Sequence, residues 1–175
     1  MTTPSCLRQV TTRLGTTAFV DEGAGTPVVL WPSLFSDHRL FAHLVPLLGD
    51  GWRTIRIDGP GFGQSDAPRG DVQPDAYADA VVEILDALGL ERVFIAGCSW
   101  GGQIAAHLGV KASDRVSGVL IMNSPLGPSL GEVRFQNGAH GIEPAELLNQ
   151  PIGVTGCHFD RDLGFDLGGF DDLGV

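Results

Sequence analysis

A short apolar run leads directly into a glycine-rich turn in the middle of the sequence, and this junction restricts the possible folds most. Val93-Phe94-Ile95-Ala96 has the composition of a buried strand, and it is followed by the turn Gly97-Cys98-Ser99-Trp100-Gly101-Gly102 and then by a helix-like stretch. Glycines on either side of Ser99 leave space for a sharp bend. The pattern therefore predicts a strand, a turn and a helix, with Ser99 held in a strained conformation as a candidate nucleophile.

Strand-like and helix-like segments alternate around this junction. We predict strands at 7–12, 16–21, 27–31, 52–58, 93–96 and 116–122, and helices at 38–48, at 75–88 and after Ser99. The first two strands are close enough to form a hairpin through residues 13–15. Alternation of this kind predicts an α/β fold, with a mostly parallel sheet and helices on both faces. Ligands of such sheets bind at the carboxyl ends of the strands, where Ser99 is expected.

The length of the chain predicts one domain. It has 175 residues, of which 43% are hydrophobic, enough to bury one core. We place this core in residues 1–127. Residues 128–175 are expected to be an irregular tail, because glycine and aspartate replace the alternating pattern there.

Charge and cysteine content exclude several classes of partner. The net charge of −10, from 21 acidic and 11 basic residues, would repel a phosphate backbone, so no nucleic acid is expected. Cys6, Cys98 and Cys157 lack the spacing of a zinc site, so we expect no metal and no cofactor. They also lack the pattern of a disulfide framework, which favours the reducing cytoplasm as the location. No signal peptide or membrane-spanning run is predicted.

Three motifs between residues 28 and 125 resemble those of the α/β-hydrolase superfamily, in particular its esterase, enol-lactonase and carbon–carbon hydrolase branch. Besides the turn around Ser99, residues 58–65 are similar to the family's D-x-P-G-x-G-x-S loop, to which we assign a mainly structural role. Residues 32–35 lie where the family carries H-G-x-P or N-S-L-G. This resemblance implies that the backbone N–H groups of Leu34 and Trp100 form an oxyanion hole, with Ser33 as the alternative to Leu34.

The resemblance also implies a reaction class. Related haloalkane dehalogenases and epoxide hydrolases carry aspartate at the turn, whereas this chain carries Ser99. A serine implies acyl-enzyme chemistry on a small ester, a lactone or an activated ketone.

The acid and the base of a catalytic triad are not identifiable in the same way. The family order is serine, acid, histidine, but only 175 − 122 = 53 residues follow Met122, and they contain no ordinary strand pattern. Some relatives carry the acid directly after this strand, where this chain has Asn123-Ser124-Pro125. His158 is the best candidate base, ahead of His140.

The other histidines have weaker claims. His38 and His43 precede the nucleophile and are assigned to the surface or the pocket rim, and His107 points away from Ser99 on the helix.

We therefore expect a hydrolase with an incomplete carboxyl-terminal part, lacking strands and a cap, and with weak or no activity. The alternative is a non-catalytic module that binds a small molecule or a protein in the same pocket. An incomplete sheet would also leave an unpaired edge for self-association.

Overall fold

One six-stranded sheet forms the centre of the protein, which the computed structural model describes for residues 6–68 and 73–124. Its strands are β1 (Cys6–Thr12), β2 (Gly15–Gly23), β3 (Thr26–Trp31), β4 (Trp52–Ile57), β5 (Val93–Cys98) and β6 (Val116–Met122). All six lie where the sequence predicts them, with ends that differ by at most two residues. The order across the sheet is β1-β2-β4-β3-β5-β6.

The sheet is mostly parallel, as predicted. β1 and β2 form the expected antiparallel hairpin, in which Thr12 pairs with Gly15, and β2 is antiparallel to β4. The pairs β3–β4, β3–β5 and β5–β6 are parallel. The carboxyl ends of four strands therefore lie at one edge of the sheet, and the loops after β3, β4 and β5 meet there.

Two α-helices have the predicted positions. Helix α1 (Pro74–Leu88) ends at Gly89, whose φ of 64° is the left-handed conformation that glycine adopts at helix ends. Helix α2 (Trp100–Lys111) begins directly after Ser99. Among the described residues, no helix has both the length and the apolar character that crossing a bilayer requires.

The predicted helix over residues 38–48 is wrong. The structure has two short 3₁₀ helices instead, His38–Phe41 and Val45–Leu47. Pro46 has no N–H to donate, and it disfavours the α conformation at Val45. The apolar spacing of this segment is satisfied by 3₁₀ turns that still bury Phe41 against the sheet.

The two faces of the sheet are covered differently in the described part of the chain. Helices α1 and α2 pack on one face, over a core that includes Val29, Ile55 and Ile95. On the other face, Phe41 and Leu44 of the 3₁₀ region pack against Leu30 and its neighbours. Both faces place apolar side chains beneath the edge that carries Ser99.

Candidate active site

Ser99 has the strained backbone that the sequence predicts. It lies between β5 and α2 with φ 53° and ψ −119°, a conformation that non-glycine residues rarely adopt. Its backbone N–H donates to the Met122 carbonyl at 2.8 Å, and its carbonyl accepts from the Gly102 N–H at 3.0 Å. Both hydrogen bonds hold the turn, while the Ser99 hydroxyl has no hydrogen-bond partner among the described residues.

Glycines make this turn possible because neighbouring backbones approach closely. A Cβ atom at Gly97 would collide with the Gly101 carbonyl. A Cβ atom at Gly101 would lie 2.5 Å from the carbonyl oxygens of Trp31 and Pro32. The first turn of α2 therefore packs against the end of β3 and the start of its loop.

This close packing brings the elements carrying the two expected oxyanion donors together. Trp100 is the first residue of α2, so its N–H is one of the amides that the helix itself cannot satisfy. Leu34 lies in the loop after β3, is 40% exposed, and donates no backbone hydrogen bond within the described residues. The oxyanion role of these amides stays a prediction, as does the choice of Leu34 over Ser33.

Three aromatic side chains pack against one another beside the turn at Ser99. Trp31 is fully buried, and it meets Tyr77 edge to face at a centroid distance of 5.9 Å. Tyr77 meets Trp100 in the same way at 4.7 Å. Burial raises the pKa of the Tyr77 phenol above its ordinary value, so this group stays neutral at physiological pH. The cluster thus packs the start of α2 against β3 and α1 without a charge.

His38 forms a hydrogen-bonded pair that the sequence analysis missed. Its Nδ1 lies 2.6 Å from Oδ1 of Asp58, and its backbone N–H donates to the same oxygen at 2.8 Å. Asp58 is fully buried at the end of β4, and its Oδ2 accepts the Gln64 N–H at 3.0 Å. The prediction that His38 lies at the surface or the pocket rim misses this pair, because nothing in the sequence links His38 to a residue twenty positions later. The family-like loop at 58–65 is the signal from which the pair could be expected.

The same region contains a cluster with the residue types of a metal site. One ligand-type atom from each of Asp37, His38 and Asp58 lies within 4.8 Å of the others. These atoms already have hydrogen-bond partners, since Asp37 binds the Arg39 guanidinium and caps the 3₁₀ helix. The hydrogen bonds account for the cluster without a metal ion.

The candidate bases are not brought to Ser99 by the described residues. His140 and His158 lie outside the described ranges. His107 is half-buried on α2, and burial lowers the pKa of its imidazole. After β6, the Ser124 hydroxyl is buried without a hydrogen-bond partner in the described part of the chain. Its Cβ would be 2.5 Å from a Cβ at Gly102, so it packs against the first turn of α2.

Two cavities lie at the opposite edge of the sheet. One, of about 580 Å³, is lined by residues 89–92 and by Asp114 and Arg115, before β5 and β6. The other, of about 430 Å³, is lined by Glu22, Trp52 and their neighbours near the start of β4. Neither borders Ser99.

Comparison with known proteins identifies the family. Residues 26–141 match the alpha/beta hydrolase fold family, so the chain belongs to this family. The match covers the sheet from β3 onwards, including the turn at Ser99.

Individual relatives agree with this assignment. The chain is 36% identical over 112 residues to haloalkane dehalogenase 2 of Mycobacterium tuberculosis, covering 63% of this chain and 39% of that protein. A solved hydrolase from Pseudomonas aeruginosa is 28% identical with a TM-score of 0.66, over 70% of this chain and 48% of that one. The meta-cleavage product hydrolase of Pseudomonas fluorescens is 28% identical with a TM-score of 0.62, over 67% and 44%. The chain thus spans less than half the length of each of these proteins.

Proposed function

We propose that this chain belongs to the serine-dependent hydrolases of its family and acts on a small ester, a lactone or an activated ketone through an acyl-enzyme. The observation that carries this proposal is Ser99 in the strained conformation between β5 and α2. A hydroxyl held in this way stands over the amino end of a helix, where negative charge is stabilised.

The residue at the turn, Ser99, argues against halide displacement, the chemistry in the name of the dehalogenase relative. Displacement of a halide from carbon needs a carboxylate nucleophile, whose ester with the alkyl group is then hydrolysed. A serine hydroxyl instead attacks an acyl carbon, and its ester is cleaved by water. The similarity to the dehalogenase therefore supports the fold of this chain, and we do not propose a haloalkane as its substrate.

In the proposed reaction, Oγ of Ser99 forms a bond to the substrate carbonyl carbon and gives its proton to a base. The carbonyl oxygen becomes an oxyanion and accepts hydrogen bonds from the N–H groups of Leu34 and Trp100. Its collapse expels the alcohol, which takes the proton, and water then releases the acid from Ser99. We propose His158 as this base.

The alternative function is a non-catalytic module that binds a small molecule or a protein at this edge of the sheet. It is favoured by one observation, that the Ser99 hydroxyl has no hydrogen-bond partner among the described residues. The two functions differ in whether Ser99 forms a covalent adduct.

The test is incubation with p-nitrophenyl acetate, a small lactone and a 1-bromoalkane, followed by mass spectrometry of the peptide containing Ser99. We expect slow p-nitrophenol release and an acetyl group on Ser99, with no bromide release. The adduct is the essential readout, because oxyanion donors and binding alone can leave about 10³- to 10⁴-fold acceleration over water.

Variants show which side chain carries the acetyl group. Ser99→Ala should abolish it, and Cys98→Ala, which removes the neighbouring thiol, should retain it. His158→Ala should slow acetylation if His158 is the base. An unmodified Ser99 in folded protein would support the binding module, and bromide release that depends on Ser99 would contradict the proposed reaction class.

A further inference from the structure

The loop after β3, which carries Leu34, has few contacts of its own. Leu34 is 40% exposed and Phe35 is 83% exposed, and Phe35 has a left-handed φ of 62°. Within the loop, the Ser36 N–H donates to the Ser33 carbonyl at 3.2 Å. The position of the Leu34 amide therefore depends on how the two ends of this loop are held.

One end is fixed by the buried Trp31, and the other is fixed by His38. The His38 backbone N–H and its Nδ1 both contact Oδ1 of Asp58, at 2.8 Å and 2.6 Å. Because the backbone and the side chain share one acceptor, the orientation of His38 is fixed as well as its position. A charged or polar hydrogen bond of this length, made to a buried group, is stronger than one in water.

Asp58 is itself held rigidly. Its side chain is fully buried, and its Oδ2 accepts the Gln64 N–H at 3.0 Å. The Ser65 hydroxyl donates to the Asp58 carbonyl at 2.5 Å. Gly63, with a φ of 54°, lies so close that a Cβ there would collide with the Asp58 carboxylate. The loop after β4 therefore encloses the carboxylate to which His38 binds.

A second contact joins the same two loops. Phe35 meets Phe62 edge to face at a centroid distance of 5.9 Å. The loops after β3 and β4 are thus connected both at His38 and beside Leu34.

The strand register relates this connection to Ser99. Leu30 of β3 pairs with Arg56 on one side and with Ala96 on the other. Asp58 and Ser99 follow these partners by two and three residues, and β3 lies between their strands. Two strand spacings separate them, about 10 Å. Asp58 therefore anchors the loop from the side opposite to Ser99.

We infer that His38 and Asp58 position the Leu34 amide for the oxyanion, an inference that rests on the proposed function. Trp100 belongs to a helix and is rigid, so the loop after β3 is the adjustable half of the oxyanion hole. Oxyanion donors act only when they are placed to within a fraction of an ångström. His38 is then a positioning residue, which acts through the loop and need not touch the substrate.

The test compares His38→Ala, His38→Asn and His43→Ala in the full chain. Asparagine can place an N–H donor near the position of Nδ1, but it lacks the second ring nitrogen. His43 is exposed and has no contact with Asp58, so its alanine variant is the matched control. Two readouts are used: hydrogen–deuterium exchange of peptides covering residues 32–41, and the rate at which a fluorophosphonate modifies Ser99.

We expect His38→Ala to raise amide exchange at residues 32–41 by at least about tenfold, with no change in peptides from α2. Modification of Ser99 should slow by about 10- to 100-fold, less than the loss of a whole oxyanion donor. His38→Asn should restore both values to within a few-fold of the wild type, and His43→Ala should leave both unchanged.

Unchanged exchange in His38→Ala would overturn the inference. A His38→Asn variant that restores amide exchange at residues 32–41 but not the rate of Ser99 modification would also overturn it. The imidazole ring would then do more than hold the loop in position. Absence of modification in the wild-type chain would contradict the proposed function instead, and exchange alone would then decide whether His38 holds the loop.

Discussion

At the scale of single residues, the turn at Ser99 depends on glycines at the points where neighbouring backbones approach most closely. The glycines around Ser99 signal a tight turn because only glycine fits where the Trp31 and Pro32 carbonyls approach α2. The hydrogen bond between His38 and Asp58 has no such local signal. It depends on two loops from different strands that meet only after the sheet has formed.

Gly101 should tolerate no side chain. In Gly101→Ala, the new Cβ would lie 2.5 Å from two backbone oxygens, which cannot move without shifting β3 or α2. We expect a loss of about 1–3 kcal/mol in the free energy of unfolding, although alanine is the better helix former by about 1 kcal/mol. Urea denaturation measures this loss.

Gly59→Ala is the matched control, since its nearest atoms would lie 3.7 Å away, an ordinary contact distance. Equal stability of the two variants would show that the approach of α2 to β3 is looser than the structure describes.

At the scale of elements, strands are predicted well and the segment before β4 is not. Continuous apolar runs identify β3 and β5 because both of their faces are covered. The spacing of apolar residues over 38–48 fits an α-helix as well as it fits two 3₁₀ turns. Pro46 favours the 3₁₀ turns. Apolar periodicity alone does not report which hydrogen bonds a backbone makes.

His107, on helix α2, should make the free energy of unfolding depend on pH. Burial lowers the pKa of this imidazole from its ordinary value of 6.5, with Lys111 adding to the shift and Asp75 opposing it. The unfolded chain then binds more protons than the folded one as pH falls below about 6.5, so the free energy of unfolding decreases there.

We expect unfolding free energy to be higher at pH 7.5 than at pH 5.5, and His107→Gln to reduce this difference. Because the variant and the wild type share all other histidines, the difference between their profiles isolates His107. Parallel profiles would contradict burial of this side chain.

At the scale of the whole molecule, composition and alternation predict the α/β class but not the strand order. Nothing local in the sequence indicates that β4 lies between β2 and β3, because this order follows from long-range pairing. The division into a core at 1–127 and a tail at 128–175 stays a proposal, since the whole of the second part lies outside the described residues.

We propose that the chain self-associates through its sheet. Among the described residues, β6 has a neighbour on one side only, and its Leu120 and Met122 are partly exposed. Sedimentation velocity should show a mass that rises with concentration, and Leu120→Lys should lower it by placing a charge on the apolar face. A monomer at all concentrations would contradict this proposal.

We propose that the fold activates Ser99 as a nucleophile by holding it in a strained turn that faces two backbone amides. The decisive measurement is fluorophosphonate treatment of the native chain, followed by peptide mass spectrometry. We expect one slow modification, on Ser99, that is lost in Ser99→Ala and in the urea-unfolded wild type. Native protein that stays unmodified, or that is modified equally when unfolded, would contradict it.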